Sequence, residues 1–217
     1  MIFRWVSCYI SHMAYDGIIT YGITEELKER LTFGKIEKVY QPGSEELVLQ
    51  IHTRKGNVKL YASAASQAAR VCLTDGKFVN PAAPPNFCML LRKHIQTGRI
   101  TDIHQKGSER IIEMDIEAQT ELGFTVSKRL IFEIMGKHSN IIFCDENDVI
   151  IDSIKHIPAY VSSVREVLPG RSYFIPNTTG KHNPLEVGDD DFRALMSEKP
   201  MPVSKALYSS FTGISPV

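Results

Sequence analysis

The chain alternates between helix-like and strand-like hydrophobic patterns. Apolar residues at positions 19, 23, 27 and 31 lie on one side of a helix predicted over 16–31, which ends before Gly34. Thr24, followed by two glutamates, offers a second start for this helix after Gly22. The runs KIEKVYQ, EELVLQIHT, NVKLYASA and ARVCLT then predict short strands, with PGS and RKG turns between the first three. The first half therefore predicts one helix followed by a strand meander.

The second half repeats this order of elements. The helix-breaking stretch NPAAPPN precedes FCMLLRKHIQTG, a predicted helix with Asn86 as its N-cap and Gly98 at its end. Strand-like runs then recur as ERIIEMDIEA, FTVSKRLIFEIM, NIIFC and VIIDSIKHI. In the first of these runs apolar and polar residues alternate, which predicts an antiparallel strand with one buried face and one wet face.

An offset of 64 residues aligns the two halves. LTFGKIEKVYQPGSEELV then matches IQTGRITDIHQKGSERII, with Lys35 on Arg99 and Glu46 on Arg110. Two helix-plus-antiparallel-meander units predict an α+β fold, packed as a two-sheet sandwich flanked by helices. The alternative is that short strand–turn–strand units have converged by chance.

Composition sets the expected domain boundaries. Residues 1–12 are apolar, but the stretch is short, is broken by Arg4 and Ser7, and lacks a small-residue cleavage site, so we expect an upstream extension or alternative start rather than a signal peptide. Residues 13–176 form the main domain, and 177–203 form a linker with a short helix. Residues 204–217 begin an amphipathic helix, beyond which we expect further domains.

Charge and cysteine content exclude several classes of protein. Lys plus Arg equals Asp plus Glu, at 25 each, which argues against a nucleic-acid binder that works by bulk attraction and leaves room for a local basic patch. The four cysteines are scattered, as is typical of small buried residues in a reducing compartment. No apolar run approaches the ~20 residues of a membrane span. We expect a cytoplasmic protein without a membrane partner.

Sequence motifs give no support for catalysis. The chain has no P-loop, no GxGxxG after a strand, no HExxH and no GxSxG, and its seven histidines show no metal-ligand spacing. We therefore predict no catalytic residue, no bound metal and no cofactor, and we expect that the protein is not an enzyme.

Two groups of charged residues are candidates for binding. Arg92, Lys93 and Arg99 cluster at the end of the second helix and are candidate RNA-backbone contacts, although basic residues there also favour the helix dipole. Glu109 and Arg110 follow a KGS turn. If both point outward, the arginine can grip a phosphate or stack on a base, and the carboxylate can accept from a base amino group or a 2′-hydroxyl. A solvated turn is the alternative.

Several motifs in order resemble the N-terminal domain of the NFACT family. They are MAYDGIITYGITEEL, NFCMLLRKHIQTGRI, GSERI, EIMGKHSNIIF and SVREVLPGRSYFIP, which cover residues 13 to about 176. VSKALYSSFTGISP is similar to the start of the family's helix-hairpin-helix segment. The family includes RqcH/NEMF-type ribosome quality control proteins and proteins known as fibronectin-binding.

The resemblance implies a role in bacterial ribosome-associated quality control. Family members bind the large ribosomal subunit blocked by peptidyl-tRNA and recruit alanyl-tRNA for C-terminal alanine tailing, while the ribosome performs the peptide-bond chemistry. The tRNA-contacting positions of the family fall here on Asp16, Glu109 and Arg110. Glu109 stands where the family has Asp, so its carboxylate reaches one methylene further and puts tRNA specificity in question. On this reading the first repeat keeps Glu45 and Glu46, and the second repeat replaces one Glu with Arg110 to contact RNA.

The resemblance also bears on two other activities. The same domain is similar in fold to the N-terminal domain of MutM-type DNA glycosylases, but the proline nucleophile of those enzymes is missing here, so glycosylase activity is not expected. The alternative from another class is a surface adhesin that binds fibronectin. An adhesin requires export, and no signal peptide is visible in the sequence.

Overall fold

Two successive units, each a helix followed by antiparallel strands, build the sheet of this chain. The computed structural model describes residues 15–162, 164–175, 180–197 and 200–214, and the extension expected at 1–12 lies outside them. The first unit contains α1 (Gly17–Leu31), β1 (Lys35–Tyr40), β2 (Glu46–Thr53), β3 (Gly56–Ser63) and β4 (Arg70–Thr74). α1 is one continuous helix, so its first turn is not separate.

The second unit has the same order of elements and one strand more. It contains α2 (Asn86–Ile95), β5 (Arg99–Gln105), β6 (Ile111–Gln119), β7 (Thr125–Glu133), β8 (Asn140–Asp145) and β9 (Ile150–Ser153), with a 3-10 turn (Gly136–His138) between β7 and β8. Two further helices follow, α3 (Asp189–Ser197) and α4 (Val203–Ser210). The predicted cap of α2 was wrong. Asn86 is the first helical residue, and Pro85 holds the cap position in an extended conformation without a side-chain hydrogen bond.

The nine strands form one antiparallel sheet in the order β4-β3-β2-β1-β5-β6-β7-β8-β9. The α+β class and the two helix-plus-meander units are confirmed. The two meanders are not separate sheets, however, because β1 and β5 pair at Lys35 and Arg99 and join them edge to edge.

One hydrophobic core lies between the two units. Leu27 and Leu31 of α1 and Leu91 and Ile95 of α2 are at most 1% exposed and belong to one cluster with strand residues from both meanders. A smaller cluster on the second unit packs beneath Val167. Each helix therefore buries its apolar face in a core that both units share.

Equivalent residues make equivalent contacts where the two units meet. Phe33 and Thr97 follow the two helices, and both have positive φ, at 66° and 73°. The Phe33 amide donates to the carbonyl of Ile100 at 2.8 Å, and the Thr97 amide donates to the carbonyl of Ile36 at 2.7 Å. This reciprocal pair of hydrogen bonds shows that the sequence repeat corresponds to a structural repeat.

β6 differs from its predicted alternation. Its residues Ile111 and Glu113 fall on the face expected to be wet, yet both are buried, with exposed fractions of 0% and 1%. Ile111 belongs to the cluster under Val167, and the Glu113 carboxylate is paired with His104. Both faces of β6 are thus covered in its first half.

The turn that precedes β6 is one residue longer than its counterpart. Seven residues, 41–47, lie between the cross-strand partners Tyr40 and Val48. Eight residues, 105–112, lie between the corresponding partners His104 and Glu113. The sequence offset of 64 therefore holds for β1 and β5 but increases by one residue along β2 and β6.

This extra residue corrects one part of the repeat alignment. The amide of Ala64 donates to the carbonyl of Glu45, and the amide of Ile134 donates to the carbonyl of Arg110, both at 2.8 Å. Glu45, and not Glu46, is therefore the structural counterpart of Arg110. The predicted exchange of Glu46 for Arg was wrong because an insertion lies inside the turn.

Candidate RNA-binding site

Asp16 has a structural task at the start of α1. Its backbone is extended, at φ −99° and ψ −177°, and its Oδ1 accepts a hydrogen bond from the amide of Ile19 at 2.9 Å. The hydroxyl of Thr20 donates to the Asp16 carbonyl at 2.6 Å. Asp16 is thus the N-cap of the helix, with one carboxylate oxygen engaged by the backbone.

Gln105 ties the helix start to the turn that carries the Glu–Arg pair. Its Nε2 donates to the carbonyl oxygen of Gly17 at 2.9 Å and to that of Glu109 at 2.8 Å. Gly17 directly follows Asp16. The structure therefore brings together Asp16, Glu109 and Arg110, although 93 positions separate the first from the second.

The segment after α4 contacts both the start of α1 and the turn that carries Glu109. The amide of Gly17 donates to the carbonyl of Gly213 at 2.6 Å. A Cβ on Gly17 would clash with the carbonyl oxygen of Ser108, which lies in the turn. Thr212 Oγ1 donates to Glu109 Oε1 at 3.2 Å, so one oxygen of this carboxylate is held from outside the turn.

Arg110 is the open member of the site. Its backbone is fixed by the Ile134 hydrogen bond, and its side chain is half-buried. Within 15–162, 164–175, 180–197 and 200–214 its guanidinium makes no hydrogen bond and no ion pair. A planar group with five N–H donors is therefore available at the turn that also carries Glu109.

The predicted basic cluster does not join this site. Arg92 donates from Nε to the carbonyl of Val39 at 2.9 Å, and Lys93 lies 3.6 Å from Glu121. Arg99 is exposed at the start of β5, whereas the Glu–Arg turn follows the end of the strand, about 20 Å away at the usual rise per residue. The Arg92 side chain therefore already has a structural hydrogen bond.

Sequence reasoning missed the residues that hold the site in place. Gln105 and Ser108 belonged to the repeated motif, but their spacing alone does not show that they reach α1. Thr212 and Gly213 belonged to a motif that resembled the family, but the motif did not indicate their contacts, because a contact over a hundred or more positions has no local pattern. Asn183, which accepts a hydrogen bond from the Ser108 hydroxyl, was missed for the same reason.

A second charged cluster lies on β5, β6 and β7. Nε2 of His104 is 2.9 Å from Oε2 of the buried Glu113, and this hydrogen bond raises the pKa of His104 above its ordinary value. Burial acts to raise the pKa of Glu113, but the hydrogen bond with His104, followed by the charges of Lys106 and Arg129, holds it below the usual value. The cluster is therefore an internally paired charge network.

The same network contains a possible ligand set for a metal ion. Asp102, His104 and Asp115 each offer one ligand atom, all within 4.8 Å of one another. Lys28 already lies 2.9 Å from Asp102, and Arg129 lies 2.8 Å from Asp115. Because the chain's own cations neutralise both carboxylates, these residues are accounted for without an ion.

Among the described residues, no helix is both long and apolar enough to cross a membrane.

A family model for the NFACT N-terminal and middle domains matches residues 16–217. The chain is 41% identical over 206 residues to "Rqc2 homolog RqcH" of Bacillus subtilis, covering 94% of this chain and 36% of the relative. It is 38% identical over 203 residues to the protein of the same name from Streptococcus pneumoniae, covering 93% of this chain and 37% of the relative. The chain therefore spans little more than a third of the length of these curated relatives.

Solved structures with adhesin names share the fold. The N-terminal domain of the fibronectin-binding protein PavA from Streptococcus pneumoniae superposes with a TM-score of 0.87 at 36% identity, covering 94% of this chain and 76% of the other. The N-terminal part of the fibronectin/fibrinogen-binding protein from Streptococcus suis gives 0.88 at 38% identity, with the same coverage. Since the family model spans the described domain and these relatives are this similar, the chain belongs to the NFACT family.

Proposed function

We propose that this chain is an RNA-binding part of a ribosome-associated quality control factor and that it contacts tRNA through Asp16, Glu109 and Arg110. The observation that carries the proposal is the Arg110 guanidinium, which has no partner among the described residues, next in sequence to Glu109 at a junction held by three separate segments. A charged group left open on a rigid support suits recognition of a ligand.

The chemistry of the site suits RNA better than a protein surface. The guanidinium of Arg110 can bind a phosphate with two parallel hydrogen bonds or stack on a base. The free oxygens of Glu109 and Asp16 can accept from base amino groups or 2′-hydroxyls. A site with both signs of charge binds nucleotides through specific contacts and not through bulk attraction. This agrees with a chain whose net charge is zero.

The remaining parts of the proposal follow from the relatives named RqcH. The partners would be the large ribosomal subunit with peptidyl-tRNA and a tRNA of the alanine type, which would be recruited for C-terminal alanine tailing. The ribosome would form the peptide bond, so the chain would act without catalytic residues, metal or cofactor and would work in the cytoplasm. Parts of the factor beyond this chain would share the binding.

Glu109 adds a specific expectation about recognition. Its carboxylate is held by Thr212 at 3.2 Å, and it reaches one methylene further than the Asp of the family pattern. Glu109→Asp should therefore change the affinity for tRNA, because the shorter side chain gives up the Thr212 contact and moves the carboxylate toward the turn.

The test is fluorescence anisotropy with labelled tRNA(Ala) at low and moderate salt. Arg110→Ala should weaken binding roughly 10- to 100-fold, in the range of a charge-assisted contact to nucleic acid. Asp16 needs two variants because it caps α1. Asp16→Asn keeps the cap and removes the charge, whereas Asp16→Ala removes both.

The outcomes separate the role in binding from the role in folding. Weaker binding by Asp16→Asn with an unchanged melting temperature supports an RNA contact. Unchanged binding by both Asp16→Asn and Arg110→Ala contradicts the proposed site. Lys205→Ala, which removes an exposed charge in α4, is the control for nonspecific attraction.

The names of the solved structures favour fibronectin binding as a second candidate function. The two functions place the protein in different compartments. Recovery of the native protein in the cell-wall fraction, together with saturable binding to immobilised fibronectin, would support the adhesin. Recovery in the ribosomal pellet would support the quality control factor.

A further inference from the structure

An open cavity of about 380 Å³ lies on the first unit, between the β1–β2–β3 strands and the segment that follows β4. Two aromatic rings, two lysines and two amide side chains line it, namely Tyr40, Phe78, Lys59, Lys77, Gln50 and Asn80. This lining combines flat apolar surface, positive charge and hydrogen-bonding groups.

The cavity occupies the place that the charge network fills in the second unit. The cross-strand partners Gln50 and Lys59 on β2 and β3 correspond in register to Asp115 and Arg129 on β6 and β7. Tyr40 at the end of β1 corresponds to His104 on β5. Equivalent strands thus carry the charge network in the second unit and the open cavity in the first unit.

The positive charges of the cavity are not neutralised as those of the network are. Lys59 Nζ donates to the carbonyl of Gly76 at 2.9 Å, and in the described part of the chain neither Lys59 nor Lys77 forms an ion pair. The guanidinium carbon of Arg92 lies 5.9 Å from the centre of the Tyr40 ring and adds a further cation. An anion near these groups would be stabilised.

Two carboxylates lie near the cavity, and both already have partners. Glu46 accepts from the Tyr61 hydroxyl at 2.6 Å, and burial together with this carboxylate raises the pKa of Tyr61 to about 12. Glu37 accepts from the amide of Gln50 at 3.2 Å. Neither carboxylate is among the residues that line the cavity, whose charged side chains are Lys59 and Lys77.

The aromatic rings are held in fixed positions. Phe78 stacks on Tyr61, with ring centres 5.3 Å apart and planes 12° from parallel. Tyr40 is supported by Arg92, whose Nε is anchored on the carbonyl of Val39. Rigid rings of this kind bind flat ligands with little loss of conformational entropy.

We propose that this cavity binds an unstacked nucleotide of single-stranded RNA. The base would lie against Tyr40 or Phe78, the amides of Gln50 and Asn80 would bond to its edge, and Lys59 and Lys77 would hold a neighbouring phosphate. Stacking on aromatic rings combined with basic side chains is the general mode by which proteins bind single-stranded nucleic acid.

The cavity is separate from the Arg110 site. β1 and β5 are antiparallel and pair at their first residues, so their last residues, Tyr40 and Gln105, lie away from each other on opposite sides of this pairing. The inference adds a second RNA contact to the proposed function and does not depend on Arg110. Each contact can therefore fail independently in an experiment.

The test uses the chain with a fluorescein-labelled single-stranded oligoribonucleotide of mixed sequence. Phe78→Leu and Lys77→Glu should each weaken binding, the first by roughly 5- to 100-fold as expected for loss of one aromatic stacking contact. Lys205→Glu makes the same charge change on α4 and is the matched control. Arg110→Ala reports separately on the proposed tRNA site.

Photocrosslinking locates the contact directly. With 4-thiouridine in the same oligoribonucleotide, crosslinks mapped by mass spectrometry are expected on Tyr40 or Phe78. Binding equal to wild type in both cavity variants, or crosslinks only at other residues, would overturn the inference. Tighter binding of free UMP or AMP than of the oligoribonucleotide would also overturn it, because the ligand would then be a free nucleotide and not RNA.

Discussion

The amide nitrogen of Gly17 donates to the carbonyl oxygen of Gly213 at 2.6 Å, which joins the start of α1 to the segment after α4. The two glycines approach so closely that a Cβ on Gly17 would lie 2.7 Å from the Cα of Gly213. The Glu–Arg turn packs against this contact through Ser108, so the geometry of the proposed RNA site depends on the absence of side chains at two distant positions.

Gly17→Ala should lower the free energy of unfolding by about 1–3 kcal/mol, the usual cost of overpacking, because the new methyl group meets backbone atoms that cannot move aside. Gly22→Ala is the matched control in the same helix. A Cβ there meets nothing within 4 Å, so the variant should gain about 0.5–1 kcal/mol from helix propensity. Urea denaturation measures both, and equal effects would contradict the close approach.

Gln105→Ala should weaken tRNA binding although Gln105 does not carry the proposed contact. The variant leaves the carbonyls of Gly17 and Glu109 without their shared donor and should cost about 1–3 kcal/mol of stability. Gln41→Ala removes the counterpart in the first repeat, whose side-chain amide donates to the carbonyl of Ser44 at 3.3 Å. That control should leave tRNA affinity unchanged in the anisotropy assay, and an equal loss in both variants would argue against a positioning role.

Arg165→Met should destabilise the chain by about 3–5 kcal/mol, because it leaves the fully buried carboxylate of Glu133 without its cation. Arg165 NH2 lies 2.5 Å from both oxygens of Glu133, and Tyr173 donates to the same carboxylate at 2.9 Å. Limited proteolysis should then cut within 164–175, which this ion pair helps to hold against the sheet. Arg171→Met is the control.

Arg171 pairs with Glu166 at 2.7 Å, but its side chain is 61% exposed, and a surface pair of this kind contributes about 0–1 kcal/mol. A similar loss of stability in the Arg165 and Arg171 variants would show that the burial of Glu133 is not what makes the first pair important.

Stability should fall as the pH rises through the folded-state pKa of His104. The hydrogen bond to Glu113 raises this pKa, so the protonated ring stabilises the fold below the ordinary value of 6.5, and that stability is lost at higher pH. The charged groups facing the ring are Glu113, Asp102 and Asp115, with the cations Lys28, Lys106 and Arg129 around them.

The measurement is urea denaturation of wild type and His104→Gln across this pH range. In the variant the free energy of unfolding should no longer fall with rising pH as it does in wild type. The same dependence on pH in both proteins would contradict the role of the ring. His52→Gln, which changes an exposed ring outside the network, is the control.

The repeat in the sequence was enough to predict the order of elements and the α+β class, because helix and strand periodicity are local properties. It was not enough to place Arg110 correctly within the repeat. One inserted residue in a turn leaves the surrounding identities intact and shifts the register by one, and the strand pairing and the hydrogen bonds of Glu45 and Arg110 reveal it. The burial of Glu113 was missed because its partner His104 lies on another strand.

The candidate site shows the same limit. Asp16, Glu109 and Arg110 were identified through a resemblance and lie together, but the bonds of Gln105 and Thr212 that connect them depend on tertiary structure. The basic residues around Arg92 looked like one group in the sequence, yet the strand direction takes them to a different part of the molecule.

The reciprocal hydrogen bonds of Phe33 and Thr97 also determine how the chain can fold. Each helix ends on a strand of the opposite unit, and α1 packs on β5 while α2 packs on β1. A fragment that contained only one unit would expose half of the shared core and leave its helix end unpaired. The two halves are therefore a single cooperative folding unit, and neither is an independent domain that could be exchanged or lost on its own.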